Sequence, residues 1–249
     1  VLNCGSFRLF YALRGGGQAT FQRYDPLTNA WSTLAAVPAN VNDGGALTTD
    51  GTFMYALRGD NQDDFYRYNP STNAWTSMAN VPANVDDGGA LVFLNGFIYA
   101  FSGNNTNAFY RYQISTNTWT TQANVPANVD WGGALTTDGT NLFAFSGNGS
   151  NAFYRYNVAS NTWTTLASAP NNIGEGGALA FDGNGQIFAT RGGGNATTYR
   201  YNISTNTWTT LANTGNNLNG GTSITARNGN AWIIRGDGQT TTYFFNGST

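Results

Sequence analysis

Apolar residues in this chain occur in short runs that are rich in aromatic and β-branched types. Gly, Asn, Asp or Pro residues bound each run, as is typical of short strands separated by turns. No longer window combines the ~3.6-residue spacing of an amphipathic helix with capping residues at its ends. The pattern therefore predicts a chain built from β-strands.

Four such runs form a unit that repeats along the chain. Read from Gly88, the runs are GGALVFL, FIYAFSG, AFYRYQ and TWTTQA. The last run carries a Trp that recurs every 44 or 45 residues and follows a Tyr by seven positions. The recurring Trp residues are Trp31, Trp75, Trp119, Trp163 and Trp208. A fixed period of this length indicates a repeat architecture in which each unit covers its neighbour.

Four short antiparallel strands per period are typical of the blade of a β-propeller. The second-strand motif occurs six times, from Tyr11-Ala12 to Trp232-Ile233, whereas the Trp strand occurs five times. We therefore predict an all-β, six-bladed propeller with four antiparallel strands per blade, the Trp strand being the outer one. Residues 1–249 form a single domain whose approximate blades are 1–43, 44–87, 88–131, 132–175, 176–220 and 221–249.

Blade six lacks an outer strand in this prediction, because no Trp strand follows its third strand at Tyr243 to Asn246. An unpaired sheet edge is a site for pairing with another chain. The simpler interpretation, which we favour, is that three strands suffice and the edge has no further role.

The segment Tyr24-Asp25-Pro26-Leu27-Thr28-Asn29-Ala30-Trp31 resembles the Kelch repeat, and Asn69 to Trp75 repeats the pattern. The resemblance covers essentially the whole chain and implies a Kelch-like propeller. It departs from the family in the second-strand Gly pair, which survives as Gly15-Gly16 and Gly192-Gly193 but elsewhere is reduced to one Gly, as in Gly59-Asp60 and Gly103-Asn104. The copper-dependent sugar oxidases of that family need His ligands, and this chain has no His.

The charge composition excludes several classes of function. The chain has 11 basic residues, all of them Arg, against 13 acidic residues, and its net charge is −2. Without His or Lys, it cannot form a catalytic triad based on His or a Schiff base. The acidic balance argues against nucleic acid as a partner, and no apolar run is long enough to span a membrane. A surface of Asn, Thr, Ser and Gly without Lys favours an extracellular or cell-surface location.

The Kelch resemblance implies that ligands bind on a face formed by two loop sets. One set joins each outer strand to the next inner strand and ends in two variable columns just before each Gly pair. The first column contains Asn42, Asp86, Asp130, Gly174 and Asn219, and the second contains Asp43, Asp87, Trp131, Glu175 and Gly220. Carboxylates beside an exposed Trp suit a sugar ring, and carboxylates around an axis suit Ca²⁺. The alternative is a solvated loop in which Asp side chains cap turns.

The second loop set joins strands two and three, and four of its members begin with an Arg that could contact carboxylates or anionic sugars. These residues are Arg14, Arg58, Arg191 and Arg235. We favour a structural role, in which they pair with the acidic columns. A further Arg on the third strand of five blades is expected to stack on a ring or to pair between blades. That column contains Arg23, Arg67, Arg111, Arg155 and Arg200.

Two other features concern covalent chemistry. Glycosylation sequons occur at Asn104, Asn148, Asn195, Asn202 and Asn246. Cys4 has no partner within the chain, so it is either a small buried residue or an exposed thiol.

Three functions follow from these observations. The favoured one is an extracellular, non-catalytic binding module that holds a glycan or protein ligand at the channel mouth and needs no cofactor. The second is a structural surface or filament subunit that self-associates through flat faces or the blade-six edge. The third is a glycan-active enzyme that uses Asp86, Asp87, Asp130 and Glu175 as acid and base.

Overall fold

A computed structural model describes residues 9–25, 27–239 and 241–246. The first three blades contain β1 (Phe10–Leu13), β2 (Phe21–Asp25), β3 (Ala30–Thr33), β4 (Ala46–Thr49), β5 (Met54–Leu57), β6 (Phe65–Asn69), β7 (Ala74–Ser77), β8 (Ala90–Leu94), β9 (Phe97–Phe101), β10 (Phe109–Gln113) and β11 (Thr118–Thr121). The last three contain β12 (Ala134–Thr137), β13 (Asn141–Phe145), β14 (Phe153–Asn157), β15 (Thr162–Thr165), β16 (Ala178–Phe181), β17 (Gln186–Gly192), β18 (Asn195–Asn202), β19 (Thr207–Thr210), β20 (Ser223–Arg227), β21 (Asn230–Ile234) and β22 (Thr242–Phe245).

The strands form six antiparallel sheets in which neighbours in sequence pair in space. Four sheets have four strands, and the last has three, β20 to β22, with no outer strand among the described residues. This confirms the predicted six-bladed all-β propeller and its incomplete blade six. The predicted inner strand of blade one and Cys4 lie outside the described residues. Within the described part of the chain, no helix is long and apolar enough to cross a membrane.

The hydrophobic core lies between neighbouring blades rather than inside any one of them. Phe65 of blade two is fully buried against blade three. The centroid of its ring lies 4.9 Å from that of Tyr112 and 5.1 Å from that of Trp119, and both pairs are edge to face. Such aromatic pairs stabilise a core beyond the area that they bury. The predicted position of the Trp rings between blades is confirmed.

A pair of hydrogen bonds, which we call the inter-blade clamp, holds the backbone N–H and C=O of one Ala in each of blades one to four against the next blade. The Trp119 indole donates to the Ala79 carbonyl at 2.8 Å, and the Ala79 N–H donates to the Asn117 side-chain oxygen at 2.9 Å. Asn117 also accepts a bond from the Tyr112 hydroxyl at 2.8 Å. The peptides of Ala35, Ala123 and Ala167 are held in the same way by the blades that follow them.

The local sequence prepares each clamp. The clamping Asn ends the tight turn before the outer strand in the left-handed region, with φ of 56° at Asn117. Asn tolerates this conformation better than residues with larger side chains. Since the Trp follows two residues later, both side chains reach the same peptide of the preceding blade.

Blade six contacts blade one and completes the ring. The contact joins the ring of Trp232 on β21 to that of Phe10 on β1, with a centroid separation of 5.9 Å. Phe10 in turn lies 6.2 Å from Tyr24 of its own blade. Aromatic packing of this kind substitutes here for the Trp-centred packing of the other interfaces.

Replacement of Trp119 by Phe tests the clamp. The variant keeps an aromatic ring but leaves the Ala79 carbonyl without its donor, so we expect the free energy of unfolding to fall by about 1–2 kcal/mol. Urea denaturation measures this change. The matched control is Trp31→Phe, because no described group accepts a hydrogen bond from the Trp31 indole; its expected change is below about 0.5 kcal/mol. Equal changes in the two variants would contradict the clamp.

Candidate functional site

Two sets of loops meet on one face of the propeller. The mouth loops join each outer strand to the next inner strand and span 34–45, 78–89, 122–133, 166–177 and 211–222. The rim loops join the second and third strands. In blades two to six, each described rim loop donates a backbone N–H to the carbonyl of the second-column residue in a mouth loop. Asp60 donates in this way to Asp43 at 2.9 Å, and Asn104 donates to Asp87 at 2.9 Å. The backbone therefore fixes the two loop sets relative to each other.

Close backbone contacts explain the Gly pair that ends each mouth loop. Gly44 adopts φ of +76°, and a Cβ there would overlap the carbonyl of Asp86 in the next mouth loop. Gly88 has the same relation to Asp130. Only glycine fits both the conformation and the space. These contacts bring each first-column residue next to the neighbouring loop, so the two columns surround one mouth of the central channel.

The mouth is acidic on the side of blades two and three. Asp43, Asp86 and Asp87 from the two columns lie there, together with Asp60 from a rim loop. Burial raises the pKa of Asp43, and the nearby charges of Asp87 and Asp60 raise it further. Burial likewise raises the pKa of Asp86, as does the charge of Asp87, although the Asp87 N–H opposes this effect. The four carboxylates thus act on one another electrostatically.

Asp60 was missing from the two predicted columns. It follows Gly59 in the rim loop of blade two, where φ is +59° at Asp60. Its carboxylate also accepts a bond from the Asn42 side chain at 3.3 Å, which links the rim to the first column. The available signal was its position after the Gly of the second-strand motif, but only the fold shows that this position faces the mouth.

Beyond the acidic side, the mouth carries an exposed aromatic ring. Trp131, in the mouth loop between blades three and four, is 55% exposed, although most large apolar side chains of the described region are buried. Its backbone N–H donates to the carboxylate of Asp130 at 3.0 Å, which fixes that carboxylate beside the Trp. Glu175 in the next mouth loop is exposed and lies against Gly220. Acidic, aromatic and glycine-rich sectors therefore follow one another around the mouth.

The channel beneath this mouth is narrow, and its lining is mixed, with glycine and hydroxyl residues beside small aliphatic ones. A cavity of 190 Å³ is lined by the first residues of the inner strands, including Ala90, Leu91, Ala134, Leu135 and Ser223. Small-molecule pockets usually have volumes of about 300–1,000 Å³. A ligand larger than this cavity must lie across the mouth loops rather than inside the channel.

The rim-loop Arg residues contact other parts of the protein. Arg58 forms an ion pair with Asp64 at 2.8 Å and donates to the Asn40 carbonyl at 3.2 Å. Its carboxylate partner is thus a rim-loop residue, so the expected pairing with the acidic columns is wrong for Arg58. Arg191 and Arg235 each donate a hydrogen bond to a mouth-loop carbonyl, at 3.3 Å and 3.1 Å respectively.

The remaining predicted Arg residues are Arg14 of the rim loops and the Arg column on the third strands. Arg14 is exposed in the rim loop of blade one. On the third strands, the guanidinium of Arg67 lies 4.7 Å from the ring centre of Phe53, and that of Arg111 lies 4.6 Å from Phe97. The predicted stacking of the strand Arg column on aromatic rings is therefore confirmed in blades two and three.

The sequon residues lie in different surroundings. Asn104 and Asn148 are exposed on rim loops and donate to Asn61 and Asn105 of the preceding blades, both at 3.3 Å. Asn195 is half-buried and accepts a bond from Arg191 at 2.9 Å. The other two sequons are at Asn202, the last residue of β18, and Asn246, after β22. Asn104 and Asn148 are thus the most accessible of the first three.

Calcium is the metal that carboxylates around the channel axis would suit, as an alternative to a mouth without a cofactor. Among the described residues, no group of three or more Asp, Glu, Cys or His side chains is placed to hold a metal ion. The carboxylates of the acidic sector therefore bring negative charge to the mouth but do not form a common set of metal ligands.

Replacement of Asp86 by Asn tests the electrostatics of the mouth. Because the pKa of Asp86 is higher in the folded protein than in the unfolded chain, the free energy of unfolding falls as pH rises through the folded pKa. This loss of stability is complete at neutral pH. We expect Asp86→Asn to raise Tm at pH 7, with the gain shrinking towards zero below about pH 4, near the ordinary pKa of Asp. Thermal unfolding at both pH values, with Asp237→Asn in blade six as control, measures this. A gain independent of pH would contradict the assignment.

Comparisons with known proteins agree with the repeat and the fold. A solved structure described as "Structure of YjhT" has 14% sequence identity and a TM-score of 0.75, and the alignment covers 94% of this chain and 90% of that chain. At this identity the likeness shows the propeller fold alone, and no curated protein matches the chain. Kelch membership itself stays a prediction. Residues 16–171 match the family described as "Repeat of unknown function (DUF6923)". This match covers more than half of the sequence, so the chain belongs to the DUF6923 repeat family.

Proposed function

We propose that this protein is an extracellular, non-catalytic binding module that holds a neutral glycan across the mouth loops. The observation that carries the proposal is the exposed ring of Trp131, which lies beside the fixed carboxylate of Asp130 at the edge of an acidic mouth. A propeller fold is compatible with a binding module. The extracellular location is proposed from the composition, which lacks Lys and is rich in Gly and Asn.

The proposed contacts match the chemistry of a sugar ring. One face of a sugar is lined by C–H groups and stacks on an aromatic ring, while its hydroxyls donate to carboxylates. Trp131 offers the ring, and Asp130 and Glu175 offer acceptors on the same and the neighbouring mouth loop. The narrow channel favours a chain of sugars that lies flat across the loops.

Charge favours a neutral ligand over an anionic one. Asp43, Asp60, Asp86 and Asp87 lie close enough to raise the pKa values of Asp43 and Asp86. An anionic sugar would meet this negative field, and the guanidinium of Arg58 is already paired with Asp64. At this side of the mouth, an anion would therefore be repelled and would compete with Asp64 for Arg58.

Binding is favoured over hydrolysis because the acidic side chains lie on open loops. Asp43 and Glu175 are exposed, and Asp86, Asp87 and Asp130 are half-buried. A glycosidase instead places its two carboxylates on either side of one enclosed bond. The mouth loops hold their carboxylates around a ring of blades without such an opposed pair being singled out.

An array of neutral oligosaccharides, followed by calorimetry with the best binder, tests the proposal. We expect Trp131→Ala and Asp130→Asn to weaken binding at least tenfold, because stacking and a fixed acceptor are lost. Trp31→Ala is the matched control, since Trp31 is a second exposed Trp, 46% exposed, on the outer strand of blade one. It should bind as the parent does.

Three results would contradict this proposal. They are the absence of binding to any neutral oligosaccharide, equal affinity in the Trp131→Ala variant, and cleavage of the bound glycan detected by NMR. The last result would favour the enzymatic alternative.

A further inference from the structure

Six exposed Asn side chains form two matching groups at the mouth, outside the two predicted columns. Each group takes one Asn from a mouth loop and one from the rim loop of each neighbouring blade. Because the three amides of a group bond to one another, we call the groups amide triads. Triad one contains Asn61, Asn84 and Asn104, and triad two contains Asn105, Asn128 and Asn148. The same arrangement therefore occurs twice, one blade apart.

The hydrogen bonds within a triad leave N–H donors free for a ligand. In triad two, the side-chain oxygen of Asn105 accepts from the side-chain amide of Asn128 at 3.4 Å and from that of Asn148 at 3.3 Å. Triad one has the same two bonds at the same distances, with Asn61 as the acceptor. An amide side chain has two N–H donors as well as its oxygen. Among the described residues, no group accepts from the side-chain N–H donors of Asn61 or Asn105, so both amides can donate to a ligand.

Backbone hydrogen bonds fix each triad beside a second-column residue. The Asn148 N–H donates to the Trp131 carbonyl at 2.9 Å, which connects triad two to the loop that carries the exposed ring. The Asn104 N–H donates to the Asp87 carbonyl at 2.9 Å, which connects triad one to the acidic side of the mouth. The triads therefore lie next to the ring and the carboxylates of the proposed glycan site.

Folding alone does not require Asn at the rim positions of the triads. These residues adopt the left-handed conformation, with φ of 53° at Asn105, and glycine adopts this conformation without strain. The equivalent positions in blades one and five are glycines, Gly16-Gly17 and Gly193-Gly194. At these two rim positions, Asn occurs only in blades two to four, whose connecting mouth loops carry Asp87 and Trp131. The amides are therefore concentrated where the mouth also carries its charge and its exposed ring.

The triads supply the hydrogen-bond donors that the carboxylates of the proposed site lack. A sugar hydroxyl both donates and accepts hydrogen bonds, whereas an ionised carboxylate such as that of Asp130 only accepts. The rim loops of blades three and four begin with Ser102 and Ser146, where the four other blades have Arg, so the donors there are neutral. A neutral donor gives an anionic ligand no opposite charge to pair with. Amides and carboxylates together can therefore satisfy both the oxygen and the proton of a neutral sugar hydroxyl.

We propose that the amide triads form the donor half of the glycan site and that the ligand is a linear neutral oligosaccharide that contacts both triads. This inference rests on the proposed function. Triad two donates to hydroxyls of the sugar that stacks on Trp131, and triad one makes the same contacts with a sugar farther along the chain. Because the two triads repeat one arrangement, a polymer of one repeating sugar satisfies both.

An array of neutral gluco-, manno-, galacto- and xylo-oligosaccharides of one to six sugars, followed by calorimetry, tests the dependence on chain length. We expect the affinity within the best-binding series to rise at least tenfold from the monosaccharide to the hexasaccharide, because only a chain reaches both triads. An affinity that does not change with length but still falls in Trp131→Ala would overturn this inference and leave the proposed function intact. Binding in none of the four series would contradict the proposed function itself, and this inference with it.

Two Asp variants test the donors of each triad separately. Asn105→Asp and Asn61→Asp keep the bonds inside their triads, because a carboxylate oxygen also accepts, but each removes the N–H donors of the central residue. Asn105→Asp should weaken the binding of every chain length at least tenfold. Asn61→Asp should weaken the binding of the hexasaccharide to the same degree and leave that of the disaccharide unchanged, because the disaccharide reaches only triad two.

The matched control is Asn172→Asp, which adds the same charge at the position equivalent to Asn128 in the next mouth loop. The rim residue that would be the centre of a triad there is Gly149, so this variant should bind every oligosaccharide as the parent does. Thermal unfolding checks that all three variants keep the fold. Affinity equal to that of the parent in Asn105→Asp, or an equal loss of affinity in the control, would overturn the inference.

Discussion

The fold depends on one interaction that is repeated between blades. An Asn and a Trp of one blade form hydrogen bonds with the backbone N–H and C=O of a single Ala in the preceding blade. An isolated blade of three or four short strands cannot bury both of its faces. The clamp orients each sheet against its neighbour and places the Trp ring over a buried Phe of that neighbour, as with Trp119 and Phe65. At Trp31 and at Ala212, for which the described residues supply no clamp partner, side chains that are half-buried at the equivalent positions are exposed.

A constant backbone frame at the mouth allows its side chains to differ. The Gly pairs and the bonds from rim-loop N–H groups to second-column carbonyls use only backbone atoms. The second column can therefore hold different side chains without disturbing the backbone frame. Its residues are Asp43, Asp87, Trp131, Glu175 and Gly220. Because the frame is indifferent to these side chains, charge and aromatic surface collect on particular blades. The recognition proposed for the mouth rests on this uneven distribution.

The period of the sequence predicted the fold almost completely. It predicted the six sheets, the strand order and the position of the Trp rings, because the alternation of runs and turns is local. The role of Asn117 was not predicted, since its partner Ala79 lies 38 positions away and only the stacking of blades brings them together. Likewise, the partner of Arg58 could not be chosen from the sequence, because Asp64 and the acidic columns all lie near the same face.

The most direct test of this account compares five chemically similar amides in one molecule. Hydrogen exchange measured by NMR reports whether each clamped N–H is bonded in solution. We predict slow exchange at Ala35, Ala79, Ala123 and Ala167, and fast exchange at Ala212, whose N–H meets no Asn acceptor among the described residues. Slow exchange at all five amides, or fast exchange at all five, would contradict the claim that the clamp orders the blades and is incomplete beside blade six.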